Sequence, residues 1–124
     1  MILEMAAVLA AAIGVAHSWL GERRLIGPLL DPAHRAGILK NSGGMRRTLR
    51  FAWHLTSIAW FGSAAILWDV AQNPPNALGV QVLEILAATY AVTAAITFGS
   101  SRGRHFAWPL LLAIALAAWH RAMG

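Results

Sequence analysis

RRTLRFAWHLTSIAWFGSAAILWD, residues 46–69, decides how the rest of the chain is read. Three arginines, Arg46, Arg47 and Arg50, open it; the remainder is almost wholly apolar as far as Asp69, with His54, Thr56 and Ser57 between Trp53 and Trp60. A helix rising about 1.5 Å per residue needs about that length to cross a hydrocarbon core of roughly 30 Å. The stretch therefore predicts a membrane span, its orientation and a polar site inside it.

Composition agrees. Of 124 residues, 58% are hydrophobic and 12% charged, against roughly 25% charged in a soluble domain. Lipid accommodates that much apolar surface, so the fold expected is an all-α, integral membrane four-helix bundle forming one domain. With no cysteine, disulfides and thiolate metal sites are excluded. The net charge of +5 raises nucleic acid as a partner only for a soluble chain. Here the basic residues flank apolar spans and point to the lipid bilayer instead.

Spans are expected at about 2–20, 50–69, 78–98 and 106–121. The first lacks the basic leader of a signal peptide and is read as a retained span. Ala10 and Gly14 form a small-xxx-small pair on it, and the same stripe continues to His17 and Gly21, so His17 should face protein. Gly27-Pro28 should break the helix. Asp31-Pro32 should then cap a short interfacial helix over about 32–39, with Ile38 and Leu39 against apolar surroundings and Arg35 and Lys40 reaching head groups; Asn41-Ser42-Gly43-Gly44 should end it. In the third span Gln81, Glu84, Ala88, Ala91 and Ala95 share a small, polar face that reads as bundle interior. Thr89, Thr93 and Thr97 should bond back to their own backbone. Pro109 favours a last span that starts near it.

Orientation follows from the basic residues. Arg23, Arg24, Arg35, Lys40, Arg46, Arg47 and Arg50 lie in or beside the first loop, and Arg102 and Arg104 in the third, leaving only Arg121 opposite. The positive-inside rule then puts both termini in the periplasm of a bacterial inner (plasma) membrane. So uneven a distribution argues against dual topology. Trp19, Trp53 and Trp108, with Arg46 and Arg47, are expected to anchor the inner interface in lipid.

Two polar clusters result. The inner one gathers His17, Glu22, Arg24, Arg50, His54 and His105. His17 and His54, at similar depth on different helices, are candidate ligands for a haem b iron or, with Glu22, for a divalent metal such as zinc or iron. Arg24, Arg47 and Arg50 would then face propionates or lipid phosphates. The ligand spacing fits no established motif, which favours a plainer reading of interhelical hydrogen bonds near the water boundary. On a straight helix Glu22 also lies about 140° around from His17, so a shared site needs the helix to end between them. The outer cluster holds Glu4, Asp69, Glu84, His120 and Arg121. Its intramembrane charge, Glu84, is read as paired with His120 or Arg121, or else as the coupling carboxylate of a small proton- or cation-coupled transporter or channel.

Two strings, His17-Ser18-Trp19-Leu20-Gly21-Glu22-Arg23 and Leu49-Arg50-Phe51-Ala52-Trp53-His54-Leu55-Thr56-Ser57, resemble blocks found in a group of small, uncharacterised bacterial membrane proteins with four predicted spans. The resemblance covers the first two spans and implies a bacterial inner membrane and four helices. It also groups His17, Glu22, Arg50 and His54. No glycine-rich phosphate loop, ExxH pair or GxSxG elbow is present. The leading expectation is a non-enzymatic accessory or assembly subunit that packs on other membrane subunits or forms a homo-oligomer through alanine-rich faces.

Overall fold

The computed structural model describes residues 1–34 and 36–124, and only the backbone at 38. The roles expected of Arg35 and of the Ile38 side chain lie outside the described residues. The chain is all-helical, with no strand among the described residues. Helix α1 (Ile2–Gly21) continues through a π-helical turn, Glu22–Ile26, into α2 (Gly27–Leu30). After it come α3 (Ile38–Asn41), α4 (Gly43–Gln72), α5 (Ala77–Ser101) and α6 (Ala107–Ala122).

Gly27-Pro28 does not end the first helix, which runs on to Leu30. A proline in a regular α-helix collides with the carbonyl four residues back, here that of Arg24. The wider π turn relieves that collision: Gly27 N–H reaches the Glu22 carbonyl, and Pro28 falls at the start of a fresh register. A Cβ on Gly27 would sit 2.7 Å from the Glu22 oxygen, so only glycine fits there. Residues 32–34, expected to begin a helix over 32–39, instead form a turn in which Asp31 Oδ1 accepts from Ala33 N–H at 2.8 Å; α3 begins later. Gly43 and Gly44 open α4 rather than closing its predecessor, because Ser42 caps that helix through Met45 N–H at 3.1 Å. Pro109 lies in the first turn of α6, where its missing N–H has no partner to lose.

The chain divides into two compact units, Met1–Ala11 with Phe61–Gly124, and Ala12–Trp60. The core of the first is rich in alanine (Ala6, Ala10, Ala87, Ala94, Ala115, Ala118) interleaved with Leu67, Leu83, Tyr90 and Ile114. Small residues allow close helix approach and the larger ones fill the gaps. Along α5 the buried positions are Leu83, Ala87, Tyr90 and Ala94. Gln81, Glu84, Ala88, Ala91 and Ala95 are all exposed, which corrects the interior face expected of them. Bulk decides the packed face, since Leu83 and Tyr90 offer far more dispersion contact than a run of alanines. Thr89, Thr93 and Thr97 donate to the carbonyls of Ile85, Thr89 and Thr93, as their spacing implied.

Two helices, Ile2–Leu30 and Ala77–Ser101, are long and apolar enough to cross a membrane, each with a mean hydropathy of 1.6. Only 28% and 22% of their apolar stretches are buried, whereas the core helix of a soluble protein would be mostly covered.

A tight turn ends α5. Gly103 N–H reaches the Phe98 carbonyl at 2.8 Å and Arg102 N–H that of Gly99 at 3.3 Å, the paired closure that requires a left-handed residue after a helix. Arg102 supplies it at φ 53°, and Gly103 follows at φ 76°. Trp108 locks the turn by donating to the Gly103 carbonyl at 3.2 Å and meeting Phe98 edge-on at 5.1 Å. Arg102→Gly should therefore raise stability by about 1 kcal/mol by removing the left-handed penalty, and Gly103→Ala should lower it. Both are read from unfolding of detergent-solubilised protein followed by circular dichroism at 222 nm.

Candidate functional site: a polar clamp between α1 and α4

Within the Ala12–Trp60 unit, the end of α1 and the start of the π turn meet the second to fourth turns of α4. Ser18 and Glu22 are one turn apart on the first side, Arg50 and His54 one turn apart on the second, so two pairs of residues stack face to face. The Glu22 carboxylate takes Arg50 Nη2 on Oε1 at 3.0 Å and His54 Nε2 on Oε2 at 3.2 Å. The opposite ring nitrogen, His54 Nδ1, is 2.7 Å from Ser18 Oγ. A carboxylate only accepts, so Nε2 carries the proton; in the neutral ring Nδ1 then accepts from the Ser18 hydroxyl.

Alongside, Trp53 lies parallel to His17, with centroids 4.4 Å apart and planes 10° from parallel. Its indole N–H donates to the His17 carbonyl at 3.2 Å. Gly21 makes this possible, because a Cβ there would overlap the Trp53 ring. Thr56 Oγ1 gives its one proton to the Trp53 carbonyl at 2.7 Å. The 2.9 Å contact with His17 Nε2 is therefore an N–H of His17 donating to Thr56. Buried Ser57 lies on the same helix, and its Oγ has no hydrogen-bond partner among the described residues.

This geometry is the interhelical hydrogen-bond reading of the inner cluster. His17 faces protein, as its stripe implied. The helix does not end between His17 and Glu22, and the two residues do not share a partner: Glu22 faces His54, and His17 faces Thr56. Both His54 nitrogens are engaged, Nε2 with Glu22 and Nδ1 with Ser18, so an iron or metal on His54 would displace one of these bonds, whereas His17, donating from Nε2 to Thr56, keeps the lone pair of Nδ1. Among the described residues no three His, Asp or Glu side chains are grouped as metal ligands. Of the proposed propionate partners, Arg50 is committed to Glu22, while Arg24 is exposed. His105 serves its own loop, accepting Ala107 N–H on Nδ1 at 3.2 Å.

The anchors also divide. Trp19 is 56% exposed with Arg23 above its ring at 4.8 Å, a placement suited to an interface. Trp53 and Trp108 hold protein contacts instead. Arg46 turns inward, donating to the Leu39 and Lys40 carbonyls at 2.7 and 3.3 Å, whereas Arg47 is exposed and without an ion pair or hydrogen bond among the described residues. In the outer set, Glu4 Oε1 accepts from Gln72 Nε2 at 2.9 Å, and the Asp69 backbone carbonyl accepts from Asn73. Glu84 is exposed and pairs with neither His120 nor Arg121 among the described residues, which corrects the pairing expected of it.

The order Ser18–His54–Glu22 is that of a nucleophile, base and carboxylate relay. Chemistry of that kind also needs N–H donors for the oxyanion. Ser18 lies inside α1, where the surrounding backbone N–H groups are committed to helical bonds; what the trio does in this structure is join α1 to α4. Ser18 is the member that sequence reasoning missed; its spacing of four from Glu22, matching the spacing of Arg50 and His54, was the signal available.

Comparison with family models, with curated proteins and with solved structures finds no match.

A double-mutant cycle of Glu22→Gln and His54→Ala should give a coupling of about 1 kcal/mol, since the pair is partly solvated. Gly21→Ala should cost about 1–3 kcal/mol by overpacking. Shrinking the ring with Trp53→Leu in the same chain should recover part of that loss. Denaturant unfolding in detergent measures all of these.

Proposed function

We propose that the chain is a four-span integral protein of a bacterial inner membrane whose role is assembly: it packs against other membrane subunits, or a second copy of itself, through the Gln81–Glu84–Ala88–Ala91–Ala95 face of α5. The observation that supports this reading most is the exposed Glu84. It lies two turns inside an apolar helix, on a face whose other members past it are alanine, without an ion-pair partner among the described residues. A charged side chain left toward lipid costs up to about 3 kcal/mol at the centre of a span. A neighbouring helix that brings a donor to Glu84 and closes over the alanines removes that cost and gains close packing. The adjoining face carries Ile85, Val92 and Ile96, each more than half exposed, and suits lipid.

For α4 to be a span, the apolar part after Arg50 must cross while the arginine-bearing turns stay at the surface. The 16 residues of α6 reach about 24 Å at a helical rise, a shortfall the bilayer accommodates by thinning. The excess of basic residues around the loops then holds those loops in the cytoplasm, with both termini in the periplasm.

Because the chain has no cysteine, single-cysteine variants report contacts cleanly. Oxidation of membranes carrying Ala91→Cys should trap a species at twice the chain mass or at the mass of the chain plus a partner that carries a cysteine; Ile96→Cys should stay monomeric. Equal trapping at both positions, or at neither in cells that contain the partners, would sink the assembly reading. Independently, alkaline phosphatase fused after Gly124 should be active, and the same enzyme fused at Gly103 inactive. The reverse pattern would overturn the orientation.

A further inference from the structure

The arginines at the start of α4 do more than mark a surface. A pocket of about 540 Å³ opens between α2 and the first turns of α4, lined by Leu30, Gly43, Arg46, Arg47, Arg50 and Phe51. All six belong to the Ala12–Trp60 unit. The volume is that of a small-molecule site, and three of the six lining residues are arginine.

Two of those guanidiniums are held in place by the protein. Arg46 spends Nη1 on the Leu39 and Lys40 carbonyls, and Arg50 spends Nη2 on Glu22. A guanidinium has five N–H donors, so each keeps donors for a ligand while its position is fixed. Arg47 has no hydrogen-bond or ion-pair partner among the described residues. With Glu22 offsetting one charge, the three arginines leave the site with an excess of two positive charges. The fork of an arginine matches two oxygens of a phosphate group. Gly43 contributes no side chain, which keeps the pocket open where a Cβ would lie 3.5 Å from Arg46 Nη2. The other two walls, Leu30 and Phe51, are apolar, and Phe51 begins the apolar run of α4.

We infer that this pocket binds the phosphate of an anionic phospholipid, one molecule per chain, with the phosphodiester between Arg46, Arg47 and Arg50 and the glycerol end of the acyl chains against Leu30 and Phe51. The same donors would take a free phosphate, but the two apolar walls favour a phosphate that carries a hydrocarbon tail. A zwitterionic lipid brings a quaternary ammonium into a site with excess positive charge, so the pocket discriminates against phosphatidylcholine. This site depends on α4 entering a membrane, and not on the α5 face assembling with anything.

Native mass spectrometry of the full chain in a non-ionic detergent tests it, with phosphatidylglycerol, phosphatidylcholine and inorganic phosphate as probes. One phosphatidylglycerol should remain per chain, and phosphatidylcholine should be retained at least tenfold more weakly. Arg47→Gln should weaken phosphatidylglycerol binding about fivefold and the Arg46→Gln, Arg47→Gln double variant about 25-fold, following the worth of each basic residue near an anionic lipid. Arg47 makes no hydrogen bond or ion pair among the described residues, so the single variant keeps its fold, and a circular dichroism spectrum verifies this. Arg104→Gln removes a charge from another loop and should leave binding unchanged. The inference fails if phosphatidylcholine binds equally well. It fails too if inorganic phosphate displaces the lipid at equal concentration, or if Arg104→Gln weakens binding as much as Arg47→Gln.

Discussion

One carboxylate, that of Glu22, sets how α1 and α4 meet. It is held from two sides by residues a single turn apart on α4, Arg50 and His54. Two charge-assisted contacts to one group fix both the separation and the axial register of a helix pair, which a single contact would leave free to slide. The Trp53 indole then fills the space left by Gly21, and the Ser18 hydroxyl completes the second nitrogen of His54. Close approach and polar pairing support one another here. Without a bare Gly21 the indole cannot enter, and without that approach the Glu22 oxygens fall short of α4.

The π turn belongs to the same arrangement. Glu22 is its first residue, so the backbone widens where the side chain has to reach α4. Pro28 makes a regular helix impossible at this point, and the chain answers by changing register rather than by ending. In an apolar setting this is the cheaper outcome, since an interrupted helix strands several backbone carbonyls whereas a π turn re-pairs most of them.

Periodicity made part of this legible. The steps from Ala10 to Gly14 to His17 placed His17 against protein, and the hydropathy of residues 2–20 and 78–98 marked the two helices that are long and apolar enough to cross a membrane. Features that depend on what a side chain meets were hidden. Trp53 carries the sequence signs of an interfacial anchor, and only the bare Gly21 opposite turns it inward. Ser18 was easy to overlook because serine in an apolar helix usually bonds back to its own backbone, and only its spacing of four from Glu22 pointed the other way. The packed face of α5 was hidden because small and polar residues on one side suggest an interior, whereas Leu83 and Tyr90 on another supply the larger contact area. Ser42 acts as a cap only because α4 begins at Gly43, a boundary that a Gly-Gly pair normally places later.

The charged groups sort by whether the fold answers them. Glu22, Arg50 and Arg46 are answered within the Ala12–Trp60 unit, and Glu4 within the other. Among the described residues, Glu84 on an apolar helix and Arg47 in an arginine-lined pocket have no such partner. A satisfied ion pair in a small membrane protein explains geometry and needs no further role. An unsatisfied charge beside lipid carries a standing cost that folding has left in place, and a cost of that kind persists where another molecule removes it on binding. On the proposed reading, the two positions call for opposite chemistry: a donor helix for the carboxylate of α5, an anionic head group for the guanidinium of α4. Under that reading, one chain is specific at once for its neighbours and for the lipid around it.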